Sequence, residues 1–406
     1  MPLSLKATPT RRADRPGALR LWSIGAVLIG VVSLAAYALD RNQSTLHVIP
    51  SYSSWFSSIH QRVGPWLQWV IGDTTEAEFY KSALGGIGML AGGCIAHVLW
   101  RRRSRVAGFA ISYGTGLFVW LLLATWSSLL LSNLVWGWSI TPTTWQPTFV
   151  PFVSVAPSVV LVYGRGLRVA ATASILGALL TTPVSILVVH YFCIPLSLPS
   201  VIGNVTGMWV GALIAFAVCR RLPWMRIPAV EAPSSADAEP AAPPPPFQGP
   251  VWVVRRVLAD FTEAQFYGNE LASAGLILGT LLEFQLNPAS PAYGTLLLPG
   301  ILTAQVITAT LAVLLYRKQW ATAGWYPTFV PVVSVAPAVV LTFGVSPLTV
   351  VVGAVIGALA APPIAAWISR RLPSDFHPFI GNVMSMTVCV LILIPVLKAI
   401  PGFHTT

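Results

Sequence analysis

Polar side chains inside long apolar runs are the residues of this chain that can do chemistry, because such groups persist in hydrocarbon only with a partner or a task. Glu283 lies within one of these runs, and an acid held in a helix bundle can bind and release a coupling proton. At the matching place of an internal repeat stands Ala96, next to His97, which makes His97 the second candidate for proton coupling. Asn204 and Asn382 each sit early in an apolar run, in the sequence Ile-Gly-Asn-Val-x-x-Met. An amide there needs an interhelical partner or a solute. Thr148, Ser154, Thr328 and Ser334 lie in two proline-rich apolar segments that also contain Pro157 and Pro337. Prolines remove amide donors and obstruct the carbonyl one turn earlier, so neither segment can be a regular helix throughout. Carbonyls freed in this way must be satisfied by protein, water or a ligand. These hydroxyls, prolines and asparagines are therefore the candidate solute-binding residues. The competing readings are that the prolines only kink helices, that the hydroxyls bond their own backbone, that the asparagines are structural glue, and that Glu283 is solvated near Asn287.

The two proline segments are copies of one another. Pro147-Thr-Phe-Val-Pro-Phe-Val-Ser-Val-Ala-Pro-Ser-Val-Val-Leu-Val-Tyr-Gly164 recurs from Pro327 to Gly344, differing only at Phe152/Val332, Ser158/Ala338, Val162/Thr342 and Tyr163/Phe343. Further pairs extend the repeat: Asp73-Thr-Thr-Glu76-Ala-Glu-Phe79-Tyr80 with Asp260-Phe-Thr-Glu263-Ala-Gln-Phe266-Tyr267, Gly88-x-x-x-Gly92 with Gly275-x-x-x-Gly279, and Gly177/Pro183 with Gly357/Pro363. Each unit holds five apolar runs.

Composition identifies the solvent these runs face. Charged residues are 9% of the 406 and apolar residues 55%, with a mean hydropathy of +0.72. An ordinary soluble domain carries about a quarter charged residues, so this is a polytopic membrane protein. The net charge of +11 comes from short clusters of bases beside apolar runs and not from a basic stripe, so nucleic acid is not an expected partner. Cys94, Cys193, Cys219 and Cys389 have neither metal-ligand nor disulfide spacing.

At about 1.5 Å per residue, a crossing helix needs on the order of 20 apolar residues. Eleven runs qualify: 21–39, 83–100, 112–135, 147–164, 169–190, 201–219, 271–288, 294–316, 327–344, 347–368 and 379–397. The expected fold is all-α: one leading helix plus two five-helix repeats. The basic segment 1–20 precedes the leading helix at 21–39, which is read as retained, with cleavage as a signal peptide the alternative. Segment 40–82 includes an interfacial amphipathic helix, and the first repeat spans 83–222. A Pro-rich linker covers 223–250, a second interfacial helix 251–267 and the second repeat 268–400. Trp55, Trp66, Trp69, Trp136, Trp138, Trp145 and Trp325 fall near predicted interfaces, where aromatic anchors are expected.

With the N-terminus in the cytoplasm, 20 of the 24 bases fall on the inner side; Arg41, Arg62, Lys81 and Lys398 fall outside. An odd number of crossings makes the second unit start on the opposite face from the first. The charges agree, since arginines follow the first and third spans of unit one but the second and fourth of unit two. The repeats are expected to be inverted, as in many secondary transporters. Parallel halves with one misjudged span are the alternative. The short Arg-rich loops point to a bacterial inner membrane.

Unit two resembles the small membrane subunit of poly-gamma-glutamate capsule synthases. The likeness rests on Gly275-Leu-Ile-Leu-Gly279, on Ser290-Pro-Ala-Tyr-Gly294-Thr-Leu-Leu-Leu-Pro299-Gly300 and on Leu348-Thr349, and covers about a fifth of the chain. Unit one lacks the Pro-Gly stretch, and the polar loop expected between the motifs is missing. The resemblance implies a membrane subunit of a biosynthetic or export complex, with the chemistry on a protein partner.

No Walker loop, dinucleotide fingerprint, metal-spaced His/Cys/Asp cluster or nucleophile elbow occurs in the sequence. The expectation is a non-enzymatic protein without a cofactor. It would be a secondary transporter or permease for a small solute, working by alternating access of one repeat against the other. A membrane subunit or a channel is the alternative.

Overall fold

The computed structural model describes residues 17–141, 147–228 and 248–404. The N-terminal bases Lys6, Arg11, Arg12 and Arg15, most of the Pro-rich linker, and Trp145 lie outside the described residues. In chain order, α1 is Ala18–Arg41, α2 Tyr52–Ser57, α3 Val63–Asp73, α4 Ala83–Arg101, α5 Phe118–Trp136, α6 Val155–Tyr163, α7 Leu167–Cys193 and α8 Val201–Cys219. The second half continues with α9 Pro250–Ala259, α10 Glu270–Leu286, α11 Leu298–Leu315, α12 Arg317–Ala323, α13 Val335–Phe343, α14 Pro347–Ser369 and α15 Phe379–Lys398.

Eight of these helices, α1, α4, α5, α7, α8, α11, α14 and α15, are long and apolar enough to cross a membrane. With the composition, they make this a multi-pass membrane protein. Of the other three runs named from the sequence, 271–288 becomes α10, which has 17 residues. The two proline segments are interrupted. Each begins as a short 3-10 turn, Val150–Val153 or Val330–Val333, breaks at Ser154 or Ser334, and resumes as α6 or α13, of 9 residues each. Pro157 and Pro337 fall in the first turn of the resumed helices, where the missing amide would lack a partner in any case. Gly164 and Gly344 then stop α6 and α13 with φ of +82° and +74°.

Local signals set the other ends. Ser82 caps α4 by accepting from the Gly85 amide, and Asn269 caps α10 by accepting from the Leu271 and Ala272 amides. Ser346 and Thr349 form a capping box at α14, followed by Pro347 at the first helical position. Pro183 is accommodated in α7 by a π turn at Gly177–Thr181, whereas Pro362 and Pro363 lie within a regular α14.

Two pairs of equivalent helices join the halves. A Cβ on Gly88 would strike the Gly275 carbonyl, and one on Gly275 would strike that of Gly88; Gly92 faces Leu271 and Gly279 faces Leu84 in the same way. Partner numbers fall as helix numbers rise, so α4 and α10 run antiparallel and cross at equivalent glycines. Small residues permit this close approach of backbones. The last helices of the units, α8 and α15, also pack together. Arg220, just past α8, pairs with Asp375 ahead of α15, while Lys398 at the end of α15 donates to the Ser197 carbonyl ahead of α8 at 2.6 Å. That pair is antiparallel too.

Candidate functional site

The amphipathic helices expected in the membrane interface are α3 and α9. α3 and α9 each deliver a loop, 73–82 and 260–269, whose acids are buried. Phe79 and Phe266 turn these loops with φ of +65° and +62°. In unit one, Lys81 pairs with Asp73, lies 3.2 Å from Glu76 and sits 3.5 Å from the centre of the Trp69 ring. In unit two, Arg256 bonds Asp260 at 2.8 Å and Glu263 at 2.7 Å and lies 4.8 Å from the centre of the Trp320 ring. Arg256, counted from sequence among the cytoplasmic surface charges, is thus an interior partner. Trp55 and Trp69, expected as interfacial anchors, are likewise fully buried.

Thr148 and Thr328 complete the two clusters. Thr148 Oγ1 donates to Asp73 at 2.7 Å and accepts from Trp69 Nε1 at 3.0 Å; Thr328 Oγ1 donates to Asp260 at 3.2 Å and accepts from Trp320 Nε1 at 3.3 Å. They tie each proline segment to its unit's acid loop. Between the loops, Gln265 Nε2 donates to both oxygens of Glu78, at 2.9 and 2.7 Å. Glu78 and Gln265 are equivalent positions of the repeat, so this contact joins matching places in the two units.

Beside the two loops lies a cavity of about 1190 Å³. Its wall takes equivalent residues from both units, among them Tyr113/Tyr293, Phe149/Phe329 and Asn204/Asn382, with Glu76 and Glu263 also on it. The tyrosines cross over: the Tyr113 hydroxyl reaches the Glu263 carboxylate, and the Tyr293 hydroxyl that of Glu76. Their neighbours do the same, as the Ser112 amide donates to the Tyr267 carbonyl at 3.1 Å and the equivalent Ala292 amide to the Tyr80 carbonyl at 2.6 Å. Asn204 and Asn382 are 2% and 4% exposed, and the Oδ1 of each is buried without a hydrogen-bond partner. A buried unpaired carbonyl costs about 1–3 kcal/mol unless something else pairs it.

The other sequence candidates lie elsewhere. Ser154 Oγ donates to the Val150 carbonyl, and Ser334 Oγ to that of Val330 at 2.6 Å, so both bridge the break in their own segment. Pro157 and Pro337 are buried in helix starts and do not line the cavity. Glu283 is 2% exposed, which replaces the solvated alternative with an interior one. Its carboxylate accepts from Ser82 Oγ at 2.7 Å, the Leu84 amide at 2.8 Å and Ser290 Oγ at 2.8 Å, and so holds the N-terminus of α4. His97 packs its ring 5.1 Å from that of Phe118, with Nδ1 unpaired.

What sequence reasoning missed is the loop acids with Lys81 and Arg256, together with Tyr113 and Tyr293. The signal was present in the repeated Asp-x-x-Glu-x-x-Phe-Tyr and in Tyr-Gly-Thr at 113–115 and 293–295. No family model matches the chain, and no curated protein is similar enough to it to carry a comparison.

Proposed function

We propose that this protein is a secondary transporter for a small solute, built of two inverted five-span repeats that alternate around the central cavity. The observation that carries the reading is the cavity itself, walled by equivalent residues of both units, Asn204 and Asn382 among them. The antiparallel crossing of α4 with α10, and of α8 with α15, supports inversion, since halves related by an axis along the membrane normal would set equivalent helices parallel. The interrupted segments ahead of α6 and α13 support a binding site, because irregular backbone at membrane depth is tolerated where it is buried in protein or lines a cavity. Motion of one unit against the other would open the cavity to each side in turn. Glu283 would act on this cycle through α4, whose first turn it holds, and His97 lies near the other end of the same helix.

Reconstitution tests the proposal. The purified protein in liposomes, screened with amines, amino acids, carboxylates and sugars, is expected to carry at least one class with saturable flux. Asn204→Leu and Asn382→Leu should abolish that flux. Glu283→Gln should lose proton-driven accumulation while keeping exchange, and unchanged accumulation would remove it from the mechanism. Flux that never saturates would make the protein a channel. Vesicles that stay inert until a second protein is added would favour the complex subunit implied by the Ser290–Gly300 resemblance.

A further inference from the structure

Residues 48–60, which precede the first repeat and include α2, touch both units at once. Toward unit two, the Val48 amide donates to the Leu286 carbonyl at 3.1 Å, the Tyr52 amide to the Ala289 carbonyl at 2.8 Å, and Asn287 Nδ2 to the Ile49 carbonyl at 2.8 Å. The Tyr52 ring meets that of Tyr293 edge-on, with 6.0 Å between centres. Toward unit one, Phe56 stacks on Trp69 at 5.4 Å, Trp55 packs edge-on against the same indole at 6.4 Å, and His60 Nε2 donates to the Ile140 carbonyl at 2.8 Å. Trp55 and Ile59 are buried in this packing. The segment is a strap with one end on each unit.

The sequence does not repeat it. Counting back from the matching Asp73 and Asp260, Tyr52, Trp55 and Phe56 correspond to Glu239, Ala242 and Pro243, none of them aromatic. A Cβ on Gly294 would stand 3.4 Å from that of Tyr52; among the described residues, one on the equivalent Gly114 would meet only Ala110 of its own loop.

The cavity is lopsided in the same sense. Among its described wall residues the exposed ones are Ala110, Tyr113, Ala321–Gly324 and Pro378, all in the base-rich connections α4–α5, α11–α13 and α14–α15. Their counterparts at the other ends of the antiparallel pairs are covered: Tyr293 and Ser200 are half-buried, and Ser290, which matches Ala110, is 2% exposed. Contacts present in one state and absent in another shift the balance toward the first by their own free energy. The strap's backbone bonds and its aromatic pair are contacts of that kind.

We propose that the strap holds the cavity shut on its own face, so that the chain rests open toward the base-rich face and must release 286–294 before it can open the other way. The inference rests on the transporter reading for the need to open both ways, and it adds which opening is restrained and by what.

Cysteine labelling tests it in right-side-out and inverted membrane vesicles, with the native cysteines removed and Val333→Cys as the reporter in the cavity wall. A small impermeant methanethiosulfonate is offered to one face at a time. Tyr52→Ala with Asn287→Ala, which removes the ring contact and the bond to Ile49, should raise labelling from the strap's face at least about five-fold, the shift that losing about one hydrogen bond brings. An unchanged rate from that face overturns the proposal. Should the double variant fail to fold, the reporter in the chain with an intact strap still decides, because it should react faster from the base-rich face; the opposite order overturns the proposal. Faster labelling after release, with no flux of any solute in liposomes, supports the strap while removing the transporter reading. Saturable flux with unchanged labelling does the reverse.

Discussion

Lys81 shows what one residue can contribute in this interior. It is fully buried between Asp73 and Glu76, against the face of Trp69. Replacing it with Met would leave two acids facing each other without a cation, and breaking a buried pair in this way costs about 3–5 kcal/mol. Thermal unfolding of Lys81→Met in detergent should show that loss, and Lys81→Met with Asp73→Asn should regain part of it. The contrast is Arg220, whose pair with Asp375 is partly exposed. Asp375 is held below its usual carboxylate range by the hydrogen bonds from Arg220, yet Arg220→Ala should cost far less than Lys81→Met because solvent screens the pair. A Lys81→Met variant no less stable than Arg220→Ala would contradict the buried cluster.

This contrast also explains what was legible at the residue scale. Asn204 and Asn382 stood out because an amide in an apolar run has no bland partner in its own helix, and both line the cavity. Arg256 and Lys81 did not, because a basic residue at a span end reads as a surface charge until its carboxylate partners fold back over it. Glu283 was legible as an interior acid, but its hydrogen bonds run to α4 and Ser290, which no local pattern foretells.

At the scale of elements, the α4–α10 crossing is the tightest joint between the halves. Gly88 and Gly275 each leave no room for a side chain, since the partner's backbone carbonyl occupies the Cβ position. Gly88→Val should therefore separate the helices and cost more than the about 1–3 kcal/mol typical of overpacking, because backbone cannot yield as a side chain can. A substitution at Gly64, where nothing lies within 4 Å, should be close to neutral. Thermal unfolding and elution volume of Gly88→Val and Gly64→Ala read the difference; equal stability would mean the crossing is not tight. Most helices were legible: the run 201–219 matches α8 end for end, and 379–397 falls one residue short of α15. The burial of the acids in the loops at 73–82 and 260–269 was not legible. An amphipathic helix rich in Trp and Arg has the same period whether its polar face meets headgroups or a buried set of acids.

For the whole molecule, inversion predicts that equivalent residues meet opposite compartments. Arg165 and Val345 occupy matching exposed positions between α6 and α7 and between α13 and α14. In intact cells, with the native cysteines removed, Arg165→Cys should react only with reagent that crosses the membrane and Val345→Cys with impermeant reagent added outside. Labelling of both from one side would make the units parallel. The repeat itself was plain in the sequence, and the sense of its second half was inferred there from loop charge, which this labelling tests.

The two acid clusters reach the same arrangement by different routes. Trp69 stands where unit two has Arg256, Lys81 where it has Gly268, and Ile140 where it has Trp320. Three exchanges thus carry one cation and one indole to new places while the neighbouring carboxylates and threonines keep theirs. Such a trade is viable only when all its members change together: grafting Arg256 alone onto the first half would crowd two bases on one pair of acids, and grafting Gly268 alone would leave none. Each half is therefore committed to its own solution, and a chain made of two copies of either half would carry that half's cluster twice.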